Sequence, residues 1–138
     1  MRAGYFASGS VFENSHRLDS VRSNIDDPSG PKGSVLTITF ELDGQKFTAL
    51  NGGPMYKFTE AISFVVRCET QQEVDDYWSK LTAGGNEIQC GWLKDKFGLC
   101  WQIVPTRLPE LIKSPKAMQA MLQMKKLDIA ELERAAQS

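Results

Sequence analysis

The chain has one histidine and three cysteines in 138 residues. A lone imidazole leaves out a histidine-rich metal centre, and Cys68, Cys90 and Cys100 are an odd set that forms no paired framework. Such a count favours reduced thiols in a cytoplasmic protein. Long apolar runs are missing too. Nowhere does an uninterrupted stretch reach the roughly 18 residues of a membrane span, and residues 1–10 carry Arg2 without the apolar run of roughly 7–15 residues that a signal peptide needs. The expectation is a soluble protein with no membrane partner. The net charge is −1, with Lys and Arg scattered among acidic residues, so the basic stripe that nucleic-acid binding requires is absent. The densest basic spot, Lys125-Lys126, is followed by Asp128 and Glu131 and reads as a solvated helix face.

What is present is ordinary for a globular domain. Hydrophobic residues make up 41% and charged residues 24%, close to soluble averages. A single domain of this length buries roughly 68% of the surface its unfolded chain exposes, enough for a core without metal or disulfide staples.

Leu36, Ile38, Phe40 and Leu42 alternate with polar residues at the period of a half-buried strand. Asp43-Gly44 favours a type I′ turn, which predicts Gln45–Leu50 as the antiparallel partner. The segment Asn51-Gly52-Gly53-Pro54 ends that hairpin. Residues 61–68 are rich in β-formers and predict a mostly buried strand. Thr70 and Glu73 have capping-box spacing, and Val74, Tyr77, Trp78 and Leu81 fall on one helical face that Gly84-Gly85 stops. Residues 87–93, a turn at Asp95-Lys96-Phe97-Gly98 and residues 99–104 read as another hairpin closed by Pro105. Ser114-Pro115 opens a helix with Met118, Met121, Leu122 and Met124 as apolar surface, suited to core or oligomer packing, and Asp128 with Glu131 starts a terminal one.

Several of these segments resemble the PhnB-like branch of the vicinal-oxygen-chelate superfamily, which includes glyoxalase and bleomycin-resistance proteins and is also catalogued as 3-demethylubiquinone-9 3-methyltransferase-like. They are Gly-Ser-Val-Leu-Thr at 33–37, Phe-Glu-Leu-Asp-Gly-Gln at 40–45, Ala-Leu-Asn-Gly-Gly-Pro at 49–54 and Phe-Thr-Glu-Ala-Ile-Ser-Phe at 58–64. The longest is Cys-Gly-Trp-Leu-Lys-Asp-Lys-Phe-Gly-Leu-Cys-Trp-Gln-Ile-Val-Pro at 90–105. The resemblance implies an α+β fold of paired βαβββ modules around a shared cup, in a homodimer. It also implies that the first strand and most of the first helix are missing, because the family places both before a segment similar to Tyr5-Phe6-Ala7-Ser8 and Val11-Phe12-Glu13-Asn14-Ser15. On that view residues 1–55 are an incomplete N-terminal module, 56–105 a C-terminal βαββ core and 106–138 a helical tail. A gap of this kind leaves a strand edge to be covered by local rearrangement, by a partner chain or by an element exchanged between protomers.

Metal-dependent relatives place His and Glu on inward strand positions. The resemblance puts Gln102 where such relatives have a Glu and Ala61 where they often have a His. His16 reads as a surface residue. The expectation is therefore no metal and no cofactor, with an amide that hydrogen-bonds an organic molecule instead. By strand parity Cys100, Gln102 and Val104 share one face, and Leu99, Trp101 and Ile103 share the other; the position of Gln102 in the resemblance implies that its own set faces the cup, leaving Trp101 to pack under the helix. Trp92, with Cys90 on its strand face, either lines a pocket or packs in a core, and Asn51 is either turn chemistry or a polar rim group. No histidine accompanies Cys90 or Cys100 to activate a thiol. A methyl-donor site expects a glycine-rich turn between a strand and a helix, and neither Gly52-Gly53 nor Gly84-Gly85 has that context.

The sequence thus supports a metal-free module that binds a small organic molecule through Gln102, Cys100, Trp92 and Asn51. Its alternatives are a lyase, isomerase or dioxygenase whose metal is held by residues such as Glu60, Glu69 or Glu87, and a degraded member that acts only through assembly.

Overall fold

The computed structural model describes residues 11–138. The chain divides into two compact units, Met1–Lys57 and Phe58–Ser138. The segment Tyr5-Phe6-Ala7-Ser8 and the expectations about residues 1–10 lie outside the described residues.

The first unit is a three-stranded antiparallel meander of β1 (Ser15–Arg22), β2 (Val35–Leu42) and β3 (Gln45–Leu50) in the order β1-β2-β3. The β2–β3 turn is the one its dipeptide demands. Asp43 and Gly44 have φ of 48° and 80°, both positive, so the strands return in register with Phe40 opposite Phe47 and the two rings stacked 5.7 Å apart. Strand β1 is not announced by any periodicity in the sequence. All but its first residue are exposed, and register shifts between Arg17 and Asp19 and between Val21 and Arg22 break the alternation a strand would otherwise show.

The second unit runs β4 (Ser63–Cys68), α1 (Gln71–Thr82), β5 (Asn86–Glu87), β6 (Trp92–Lys94) and β7 (Cys100–Pro105). Its sheet has the order β4-β7-β6-β5, with β4 parallel to β7 and the other pairs antiparallel. This is a full βαβββ module, one strand longer than the βαββ core expected. The run 87–93, expected as one strand, is two. Cys90 adopts φ 60° and Gly91 φ 82°, and their amides bond to the carbonyls of Met124 and Lys125 instead of a neighbouring strand. Cys90 therefore does not share a strand face with Trp92.

Helix α1 starts where the capping residues place it, with Thr70 accepting from the Glu73 amide at 3.2 Å. Its buried residues Val74, Trp78 and Leu81 pack on the sheet face of Val66, Cys68, Leu93, Trp101 and Ile103, all buried. Removing such side chains from water stabilises the unit by about 1.5–3 kcal/mol for each large one. The sheet end of this layer is tight at Gly85, where a Cβ would stand 2.0 Å from the Lys94 carbonyl oxygen.

The tail adds α2 (Leu108–Leu111), α3 (Pro115–Gln123) and α4 (Ile129–Gln137). Ser114 occupies the N-cap of α3 without a side-chain capping bond, whereas Asp128 caps α4 by accepting from the Glu131 amide at 2.9 Å. Leu108, Leu111, Leu127 and Leu132 form a cluster joined by Met121, Met124 and Val104. Gln71 ties the tail to the start of α1, donating to the Leu127 carbonyl at 3.1 Å and accepting from the Ile129 amide at 2.9 Å.

Candidate functional site

The helix covers one face of the second unit's sheet and leaves the other to a different set of side chains. Residues facing each other across a ladder share a face, so the register assigns that set. Cys100 pairs with Ser63 on one side and Lys94 on the other, Gln102 pairs with Val65 and Trp92, and Val104 pairs with Arg67. Three rungs result. The middle rung, Val65–Gln102–Trp92, is half open, since Val65 is 52% exposed and Gln102 and Trp92 are partly buried.

Each end of this lane is occupied. At one end Lys94 forms an ion pair with Glu60, which raises the lysine pKa and lowers the carboxyl pKa, in both cases chiefly through the hydrogen bond between them. At the other, Val104 packs against the tail cluster. In the middle, Gln102 donates from Nε2 to Ser63 Oγ at 2.9 Å, which orients the amide and keeps its carbonyl oxygen as an acceptor.

Of the residues nominated from sequence, Gln102, Cys100 and Trp92 therefore meet on one face of one sheet. Cys100 is fully buried there, and its thiol pKa is raised, first by desolvation, against a smaller lowering effect of Lys94. Cys68 lies on the helix side with its pKa pushed up to about 11 by burial and by Glu73 and Glu69. Neither is an activated thiolate. Asn51 belongs to the first unit, where its side-chain amide donates to the Val35 carbonyl at 3.2 Å and its backbone amide to Leu36, a turn-closing role.

Trp101 packs on the helix side, the face opposite Gln102, edge-on to Phe64 at 5.5 Å, with its indole N–H donated to the buried carboxylate of Asp95 at 2.9 Å. The same carboxylate accepts from the amides of Phe97 and Leu99 and so holds the β6–β7 turn. Sequence reasoning missed Ser63, Arg67 and Lys94 as members of the open face. The parallel β4–β7 register that places Ser63 and Arg67 there has no local signature.

The carboxylates considered as metal ligands are engaged elsewhere. Glu60 holds Lys94, Glu69 accepts from Thr106 Oγ1 at 3.0 Å, and Glu87 accepts from the Trp78 indole at 2.7 Å. His16 is exposed on β1. Among the described residues no three His, Cys, Asp or Glu side chains converge on a common point. An amide at Gln102 and an alanine at position 61, which is exposed in the turn before β4, do not fit a catalytic divalent ion.

The strand and helix order, the parallel closing pair and the layer of one helix on a mixed sheet define a glyoxalase-like α+β protein. Residues 3–104 match the family model described as 3-demethylubiquinone-9 3-methyltransferase. A solved structure from Bacillus cereus, described as a putative 3-demethylubiquinone-9 3-methyltransferase, PhnB protein, is 31% identical with a TM-score of 0.64, covering 72% of this chain and 86% of that one. A Pseudomonas aeruginosa protein is 13% identical with a TM-score of 0.60 over 75% of this chain and 87% of its own, a likeness of fold. A search of curated proteins finds no match. The chain belongs to the PhnB-like, 3-demethylubiquinone-9 3-methyltransferase-like family.

Proposed function

We propose that the protein binds a small organic molecule on the open face of the β4-β7-β6 sheet, without a metal ion. The observation that carries this reading is Gln102. It sits at the centre of that face, is oriented by Ser63, and stands beside the half-buried ring of Trp92. A few fixed polar groups within an apolar lining are what orient a small ligand. The methyl transfer in the family's description has no local support in the glycine pairs, because Gly52-Gly53 follows β3 and Gly84-Gly85 follows α1.

The assembly we propose is a cytoplasmic homodimer. Its support is the outer edge of β3, which pairs with no strand among the described residues and offers open backbone groups to a second copy or an exchanged element. Sedimentation across a concentration series checks it, and a strictly monomeric protein would refute it.

Binding is tested by titrating small aromatic compounds into the full-length protein, with indole fluorescence and thermal stability as readouts. Gln102→Leu is expected to weaken the best compound by about tenfold, the loss of one oriented hydrogen bond. A stoichiometric divalent ion that leaves together with ligand binding on chelation would overturn the metal-free reading in favour of a lyase, isomerase or dioxygenase.

A further inference from the structure

We propose that the ligand is a flat monocyclic acid with a hydrogen-bond donor on its ring, of the hydroxyaryl or aminoaryl carboxylate class, lying across Val65, Gln102 and Trp92 with its carboxylate on Arg67. This inference rests on the sheet face being the binding surface.

Charge on this face sets the sign of the ligand. Lys94 is neutralised by Glu60, so it offers little net field to an incoming anion. Arg67 is different. It is exposed, it shares the face through its pairing with Val104, and it forms no ion pair or hydrogen bond with any described residue. An uncompensated guanidinium with its fork of donors selects a planar carboxylate.

Hydrogen bonding sets the second feature. One N–H of Gln102 Nε2 is committed to Ser63; the amide keeps its carbonyl oxygen, an acceptor for a donor such as a ring hydroxyl or amine, beside its second N–H. The indole N–H of Trp92 has no partner among the described residues either, and it supplies a further donor to an oxygen of the bound acid. Shape sets the third. Val65 and the Trp92 ring flank Gln102 in one rung, and an aromatic body fits such a surface by stacking and by displacement of water.

Length is set by register. Arg67 pairs with the residue two positions along β7 from Gln102, a separation of about 6.6 Å along a strand, which matches one substituted ring and not a fused system. The Lys94–Glu60 pair and the tail packed on Val104 bound the lane at its two ends.

The test titrates the full-length protein with 3-hydroxybenzoate, 3-hydroxybenzamide, benzoate and cyclohexanecarboxylate, followed by calorimetry and indole fluorescence. The hydroxy acid is expected to bind tightest, by a factor of about three to ten over both the amide and benzoate, with a preference that shrinks as salt rises. Arg67→Gln, at an exposed position without partners, is expected to fold normally and to abolish the acid-over-amide preference. Gln102→Leu is expected to abolish the hydroxybenzoate-over-benzoate preference alone. Equal affinity for acid and amide in the unaltered protein, or a preference that survives Arg67→Gln, would overturn the inference while leaving the binding surface standing. Failure of all four compounds to bind would overturn the binding surface as well.

Discussion

Both units contain three successive antiparallel strands, but only the second carries a strand and a helix ahead of them among the described residues. The consequence is visible in burial. In the second unit Leu93, Ile103, Val74 and Cys68 are fully buried between sheet and helix. In the first, β1 and β3 are mostly exposed and, among the described residues, the hydrophobic ones below one-tenth exposure are Phe12, Phe40 and Leu42. A meander holds its register through turn chemistry and cross-strand pairs, whereas a dry core requires a second layer. The site follows the same division, because a sheet covered firmly on one face can present rigid side chains on the other.

If burial explains the difference, substitutions at matched positions should separate the units. The largest effect is expected at the glycines. Gly85→Ala places a Cβ against the Lys94 backbone and should destabilise by about 4 kcal/mol or more in urea unfolding, as a clash the backbone must shift to relieve. Gly44→Ala has open space and only its φ of 80° to overcome, about 1 kcal/mol. Equal losses would break the comparison. Next come the apolar side chains. Leu93→Ala should lose about 2–5 kcal/mol by leaving a cavity, while Leu50→Ala, 56% exposed on β3, should change stability by less than about 0.5 kcal/mol.

Thiol labelling sharpens the same contrast within the second unit. In the native protein Cys90, partly exposed, should react with an aromatic disulfide reagent well before Cys68 and Cys100, which are buried and have raised pKa values. All three should react at once in denaturant. Fast native labelling of Cys68 would mean that α1 does not seal its sheet.

The smallest effect concerns the tail. Lys126 and Gln71 hydrogen-bond Asp75 and hold its carboxyl below the ordinary range of an aspartate. The folded pKa is depressed, so this contribution is present above the unfolded value and fades as pH falls through the folded one. Because the Lys126 and Asp75 side chains are nearly half exposed, the magnitude is a few tenths of a kcal/mol at most, and smaller in high salt. Asp75→Asn should therefore lower stability slightly at neutral pH and leave it unchanged near pH 2, as read from unfolding midpoints.

Local chemistry was enough for much of this molecule. Asp43-Gly44 determines a turn because both residues adopt positive φ, Thr70 with Glu73 determines a helix start, and strand parity alone puts Gln102 and Trp101 on opposite faces. Relations between distant segments were decided only in three dimensions. The parallel pairing of β4 with β7 brings Ser63 and Arg67 beside Cys100 and Val104, and carbonyls from the tail draw Cys90 and Gly91 out of a strand. Strand β1 exists because β2 offers it a hydrogen-bonding edge, not because its own residues alternate. Periodicity and capping act over a few residues and are written in the chain, whereas register, strand order and the cover on each face depend on which surfaces meet.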